Sequence, residues 1–181
     1  MKFINSKSSY GLLTIANHWI MALIVIGMFA LGLYMEDLNY SHEWYKSAPH
    51  IHKSVGFIFA VLLSFRVIWR QVNITPEAAP GVKRWEDKIA HLAHMVLYLV
   101  PFALIVSGYL ISTADGRSIE VFNWFEIPAI FPASKGREDI AGEIHELLAF
   151  SLIIVAAAHA LAALKHHFIS KDRTLVRMLK P

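Results

Sequence analysis

Cysteine is absent from all 181 residues, so the chain forms no disulfide, offers no thiolate to a metal and holds no iron–sulfur cluster. Charge is scarce too, with Asp, Glu, Lys and Arg making up 17% of the residues. No repeat, low-complexity tract or linker divides the chain, which predicts one domain over residues 1–181. The HExxH spacing of a zinc protease helix is missing as well. Any metal chemistry therefore rests on carboxylates and on histidine, of which there are ten.

What is present is apolar. Hydrophobic residues make up 56% of the chain and its mean hydropathy is +0.46, which places it among membrane proteins. A helix needs about 20 mainly apolar residues to span a bilayer. Four runs qualify: 15–35, 51–70, 91–113 and 145–168. The first follows Lys2 and Lys7 as a signal peptide would, but its core is too long. It leads into "LYMEDLNY" without a small-residue cleavage site, so an uncleaved helix is expected. Between the runs, 36–50 is polar and 71–90 carries Pro76, Pro80 and Gly81 as turn signals. The stretch "IEVFNWFEIPAIF" mixes Phe122, Trp124, Phe125 and Phe131 with acids, as a segment lying at a membrane surface would.

Lys and Arg set the orientation. Most of the 17 fall at the N-terminus, at the end of the second run and its following loop, and at the C-terminus. The positive-inside rule then makes both termini and the 71–90 loop cytoplasmic. The sequence pI near 9.2 reflects this topology, and the basic residues form no patch interleaved with stacking aromatics, which excludes nucleic acid as a partner.

Histidines inside such runs are costly and usually face a partner in the interior. Topology sorts four of them by depth. His18 lies near the inner end of the first span, His52 near the outer end of the second, and His145 near the outer end of the fourth. His159 lies about 21 Å further along that helix, turned only about 40° from His145. His52 can therefore meet His145, and His18 can meet His159. Two imidazoles approaching from opposite helices suit the two axial positions of a haem iron, which would then pass electrons but bind no oxygen or substrate. Gly27, Gly32, Gly56 and the small residues around His159 leave room for a macrocycle, or equally for tight helix packing. Zinc and plain interfacial histidines stay open at this point. His91 and His94 share a helix face as metal ligands, polar caps or a quinone-binding pair, whereas His42 and His50 read as solvated loop residues. His166 follows on the face of His159.

The segments "IANHWIMALIVIGMF", "HIHKSVG", "AHLAHMVLYL" and "HELLAFSLIIVAAAHALAALKHHFISKDRTLVRML" resemble the prokaryotic cytochrome b561 family. The resemblance covers residues 8–179 and implies an all-α integral membrane four-helix bundle in a bacterial inner membrane, holding two b haems. It implies axial ligands at His18 and His159 for one haem and at His52 and His145 for the other. Some members resemble superoxide oxidase, which passes an electron from superoxide to ubiquinone, and this implies quinone contacts at His94 and His166. A superoxide anion would favour a cationic outer patch. Lys53 beside His52 is the candidate, with Lys46, Arg117, Lys135 and Arg137 in the same loops, where acids outnumber them. Three readings follow: a superoxide:quinone oxidoreductase, a cytochrome b relay or anchor for a periplasmic redox partner, and a haem-free membrane scaffold.

Overall fold

The computed structural model describes residues 3–180. Four long helices carry most of them: α1 (Leu12–Glu36), α2 (Ser47–Val72), α3 (Arg84–Ser112) and α4 (Arg137–Lys165). A short antiparallel hairpin, β1 (Ile119–Val121) and β2 (Phe125–Ile127), joins α3 to α4. Beyond α4 the chain tightens into a π turn over His166–Ser170 and a 3-10 turn over Val176–Met178. Lys2, one of the basic residues in the orientation argument, lies outside the described residues.

The chain is all-α in class, with four helices each long and apolar enough to cross a bilayer. They outrun the apolar stretches that signal them, chiefly at their N-terminal ends. α3 begins at Arg84, not near His91, and α4 at Arg137, not at His145. The added turns are polar: Glu86 and Asp87 open α3, and Glu138 and Asp139 open α4. Carboxylates there meet the positive end of the helix dipole. Glu86 also accepts from the Lys83 backbone N–H at 3.0 Å, a capping contact. Large apolar side chains point outward, with Leu23 69%, Ile154 65% and Leu161 66% exposed. That surface is unfavourable in water and matches hydrocarbon.

The helices contribute to two compact units. The first comprises residues 3–22, 62–99 and 154–180, and holds Ile15, Asn17, Met21 and Leu63 at its centre. Its N-terminal strand of chain folds back tightly: a Cβ at Gly11 would collide with the Phe3 and Ile4 backbone. Asn5 secures this return, accepting from Gly11 N at 2.8 Å and Thr14 Oγ1 at 2.7 Å while donating to Ile74 O at 2.8 Å. The C-terminal turns are fastened in the same unit. Trp19 Nε1 donates to Met178 O, and Arg177 to Glu77 O, each at 2.7 Å.

The second unit comprises residues 23–61 and 100–153. Its centre includes Ala48, Ser54, Phe59, Ser107, Thr113 and Leu152. The aromatic stretch after α3 takes the form of the hairpin because Ile119 and Val121 turn inward while Glu120 turns out. Phe122 and Asn123 occupy the bend with φ of 47° and 60°, a pair of positive values that matches the twist of a tight hairpin. Phenylalanine resists that conformation. The fully buried Ser54 Oγ accepts from Phe122 N at 3.0 Å and holds it there.

Arg137 closes the other end of this unit. Its Nη2 donates to the Thr113 and Ala114 carbonyls at 2.7 and 3.3 Å, and Nη1 to Pro132 O at 3.0 Å. The Thr113 and Ala114 carbonyls lie just past the end of α3, where helical partners run out. Arg137→Ala should therefore destabilise the protein by about 1–3 kcal/mol, read as earlier unfolding in detergent. Arg137→Lys should recover only part, because one ammonium does not reproduce the fork.

Candidate cofactor sites

Each unit brings together one pair of the histidines singled out by depth. In the second, the ring centroids of His52 on α2 and His145 on α4 lie 6.2 Å apart at 65°. In the first, His18 on α1 and His159 on α4 lie 6.3 Å apart at 75°. All four are half-buried. The separation is too wide for the two rings of a pair to share a hydrogen bond directly. One metal ion between two ring nitrogens, with metal–nitrogen bonds of about 2 Å, places each ring centre about 3 Å from the ion. Both pairs fit that spacing.

The surroundings of the second pair favour an inserted group. A cavity of about 370 Å³ opens against both rings, lined by His52, His145, Gly56, Ala60, Leu104 and Lys53 among others. His52 Nδ1 is buried without a hydrogen-bond partner, a costly state for a polar atom. His145 is fixed more firmly. Ser107 Oγ donates to Leu104 O at 3.1 Å and lies 3.0 Å from His145 Nδ1. A hydroxyl has one proton. Since the Leu104 carbonyl can only accept, Ser107 accepts from Nδ1–H, and the neutral ring keeps its Nε2 lone pair for a ligand. Gly108 leaves that ring its place, because a Cβ there would lie 3.3 Å from His145 Cε1. Gly32 is 3.8 Å from His52 Cε1 by the same measure, whereas Gly27 meets no protein atom within 4 Å. The clearance expected of Gly27, Gly32 and Gly56 is thus set most tightly by Gly108.

The first pair sits among donors. Arg66 Nη1 and Nη2 each lie 3.4 Å from His18 Nδ1, and Arg66 Nε donates to Tyr98 Oη at 3.1 Å. Arg66 and Arg70 also lie over the Tyr98 ring, at 5.5 and 5.6 Å. Arginine only donates, so Nδ1 accepts here, and a ligand on Nε2 requires Arg66 to rest on Tyr98 alone. Nearby, burial pushes the Tyr10 phenol up, against the pull of Arg70, Arg177 and Arg66.

The remaining candidates separate. His94 packs beside His159 at 5.2 Å. His91 does not share its environment. It is exposed, contacting the Asp87 carbonyl at 2.8 Å and carboxylate at 3.5 Å on its own helix, so the two do not act as a pair. His166 sits at the start of the π turn with Nδ1 2.5 Å from Asp172 Oδ2. Burial pushes the Asp172 carboxyl up, yet bonds from Thr174 and His166 outweigh it and hold it below the usual range. Among the outer cations, Arg117 is paired with Asp115 at 2.5 Å and Arg137 is taken up by carbonyls. Lys53 lines the second unit's cavity. No group of three or more His, Asp or Glu suited to a bare metal ion occurs among the described residues.

Ser107, Arg66 with Tyr98, and Asp172 went unnoticed in the sequence. Arg66 had a signal, a cation inside an apolar run, but it served only to set orientation.

The prokaryotic cytochrome b561 family model matches residues 9–181. Cytochrome b561 homolog 2 of Escherichia coli K12 is 46% identical over 179 residues, 99% of this chain and 95% of its own length. The probable superoxide oxidase CybB of Yersinia pestis is 33% identical, covering 94% and 95%. Cytochrome b562 of Cereibacter sphaeroides is 28% identical, covering 98% and 99%.

Two outcomes test this geometry. Gly108→Val should push the His145 ring aside and lower the haem bound per chain, measured by pyridine haemochrome, while Gly27→Ala has a smaller effect. The Asp172 carboxylate, held low, stabilises the C-terminal turns above the usual carboxylate range and stops doing so as pH falls through its lowered value. Amide exchange across 166–180 should accordingly stay slow at neutral pH and speed up only on strong acidification.

Proposed function

The chain belongs to the prokaryotic cytochrome b561 family, a multi-pass bacterial membrane protein of electron transfer with b-type haem, and from that premise we propose a superoxide:ubiquinone oxidoreductase working through two haems. The observation that carries the reading is the pairing of His18 with His159 and of His52 with His145 at nearly equal spacing. His52 and His145 would hold one haem, His18 and His159 the other. A b haem held by such a pair would supply one-electron transfer.

The residues then divide the work. Lys53, the one cation among the described residues lining the cavity at His52 and His145, raises the local concentration of an anionic donor. Ser107 holds the His145 ring in the tautomer and orientation a ligand needs. In the first unit, His94 and His166 are the groups able to hydrogen-bond a quinone carbonyl and to handle its protons. Two superoxide anions and two protons convert one ubiquinone to ubiquinol and release two dioxygen molecules. The 33% identity to a probable superoxide oxidase supports this donor. In this reading Lys53 faces the periplasmic side of an inner membrane and both termini lie in the cytoplasm, within a single transmembrane domain, as the distribution of Lys and Arg supports.

Superoxide added to purified ferric protein should reduce the haem, and a short-chain ubiquinone should reoxidise it. Lys53→Glu should lower the superoxide step severalfold and weaken its dependence on salt. His52→Ala and His145→Ala should each remove the same haem from the visible spectrum, and His18→Ala and His159→Ala the other. Haem-loaded protein that superoxide leaves ferric ends the oxidase reading in favour of the relay, whose donor is then a periplasmic redox partner. A wild-type preparation without any b-type spectrum ends both.

A further inference from the structure

We propose that Asp172 is a positioning residue that makes His166 the proton donor to a membrane-soluble quinone. The inference rests on the quinone reading above and adds to it a residue, a bond and a direction. His166 and Asp172 are the most enclosed ion pair among the described residues, their side chains only 12% and 5% exposed. Both carboxylate oxygens are occupied: Oδ2 at His166 Nδ1, 2.5 Å, and Oδ1 by the Thr174 backbone N–H, 2.8 Å. The backbone repeats the connection, with Asp172 N donating to His166 O at 3.1 Å. That return is made possible by Lys171 at φ 54°, where α4 ends in the π turn, a feature that often marks functional sites.

An ionised carboxylate only accepts, so Nδ1 carries a proton and Nε2 is the free end of the ring. Nε2 has no hydrogen-bond partner among the described residues. The other charges facing this end of α4 are engaged. Glu86 of α3 pairs with Lys165 of α4, accepts from Lys83 N and also feels the charge of His166, while Asp172 is the carboxylate in direct contact with the ring. Directly beside the pair, Phe168 and Ile169 are 67% and 74% exposed. A polar dyad bordered by outward apolar side chains matches a ligand with a carbonyl head and a hydrocarbon tail delivered by the bilayer.

The step is a proton transfer. With electrons that a b haem would supply, the Nε2–H bond of protonated His166 breaks and an O–H bond forms on the quinone oxygen. The neutral ring is then reprotonated from water. Asp172 keeps its charge throughout and holds the ring in place. Two such turns, with two electrons, complete the quinol.

The test uses haem-loaded protein reduced with dithionite and followed during reoxidation by a short-chain ubiquinone across a pH series. Asp172→Asn keeps the shape and removes the charge. It should slow reoxidation roughly tenfold or more, mainly in kcat with KM little changed. His166→Ala should slow it as much and flatten the pH dependence, and the double variant should lose no more than either alone. An unaltered rate in His166→Ala removes the quinone site from this end of the chain, and the proposal with it. A slow His166→Ala beside an Asp172→Asn of unchanged rate and pH profile leaves that site standing and overturns the role of Asp172. Should Asp172→Asn fail to assemble, ring nitrogen-15 resonances of wild-type His166 decide: a proton fixed on Nδ1 supports the pair, and free exchange between both nitrogens overturns it.

Discussion

Everything in this protein depends on placing imidazoles where hydrocarbon would otherwise be, and on giving each a partner. A polar ring inside an apolar span is unfavourable unless something meets its nitrogens. Here the partners come in two kinds. Serine, arginine and aspartate reach one nitrogen of His145, His18 and His166. Between the members of each principal pair, what remains is a gap of ion-plus-bonds width. The rest of the fold serves those distances: continuous helices that carry the rings, glycines that keep side chains off them, and polar turns that fasten the helix ends.

The two sites are built differently although their ring spacings nearly coincide. The His52–His145 site has a cavity, an orphaned nitrogen and a fixed tautomer. Around His18 and His159 lie Arg66, Arg70, Tyr98 and His94 instead, an environment richer in charge and donors. Reduction potential follows hydrogen bonding, burial and local charge. Cationic arginines beside His18 would stabilise the reduced state of an iron held there.

Much of this was legible in the sequence, for identifiable reasons. Long apolar runs are dictated by bilayer thickness, so four helices could be counted directly. The histidine pairs followed from run order and helical period, because both quantities are rigid. The apolar runs do not mark where α3 and α4 begin, because charged turns extend both helices and apolarity marks the span, not the helix. The hairpin at Ile119–Ile127 escaped notice because its turn uses phenylalanine where glycine would have signalled it. Asp172 reaches His166 only through a π turn and a left-handed residue, neither of which has a period to read. Ser107 and Gly108 looked like ordinary small residues of a packed span, and only the position of His145 distinguishes them.

The contact between Ser107 and His145 has a polarity that no side chain chose. A backbone carbonyl has no proton to offer, so the single hydroxyl proton of Ser107 must point back toward Leu104, and the imidazole must supply the next one. The asymmetry of a peptide group is in this way transmitted, through one serine, to the nitrogen that faces the cavity. The chemical state of a buried ring is thereby inherited from the handedness and direction of a neighbouring helix.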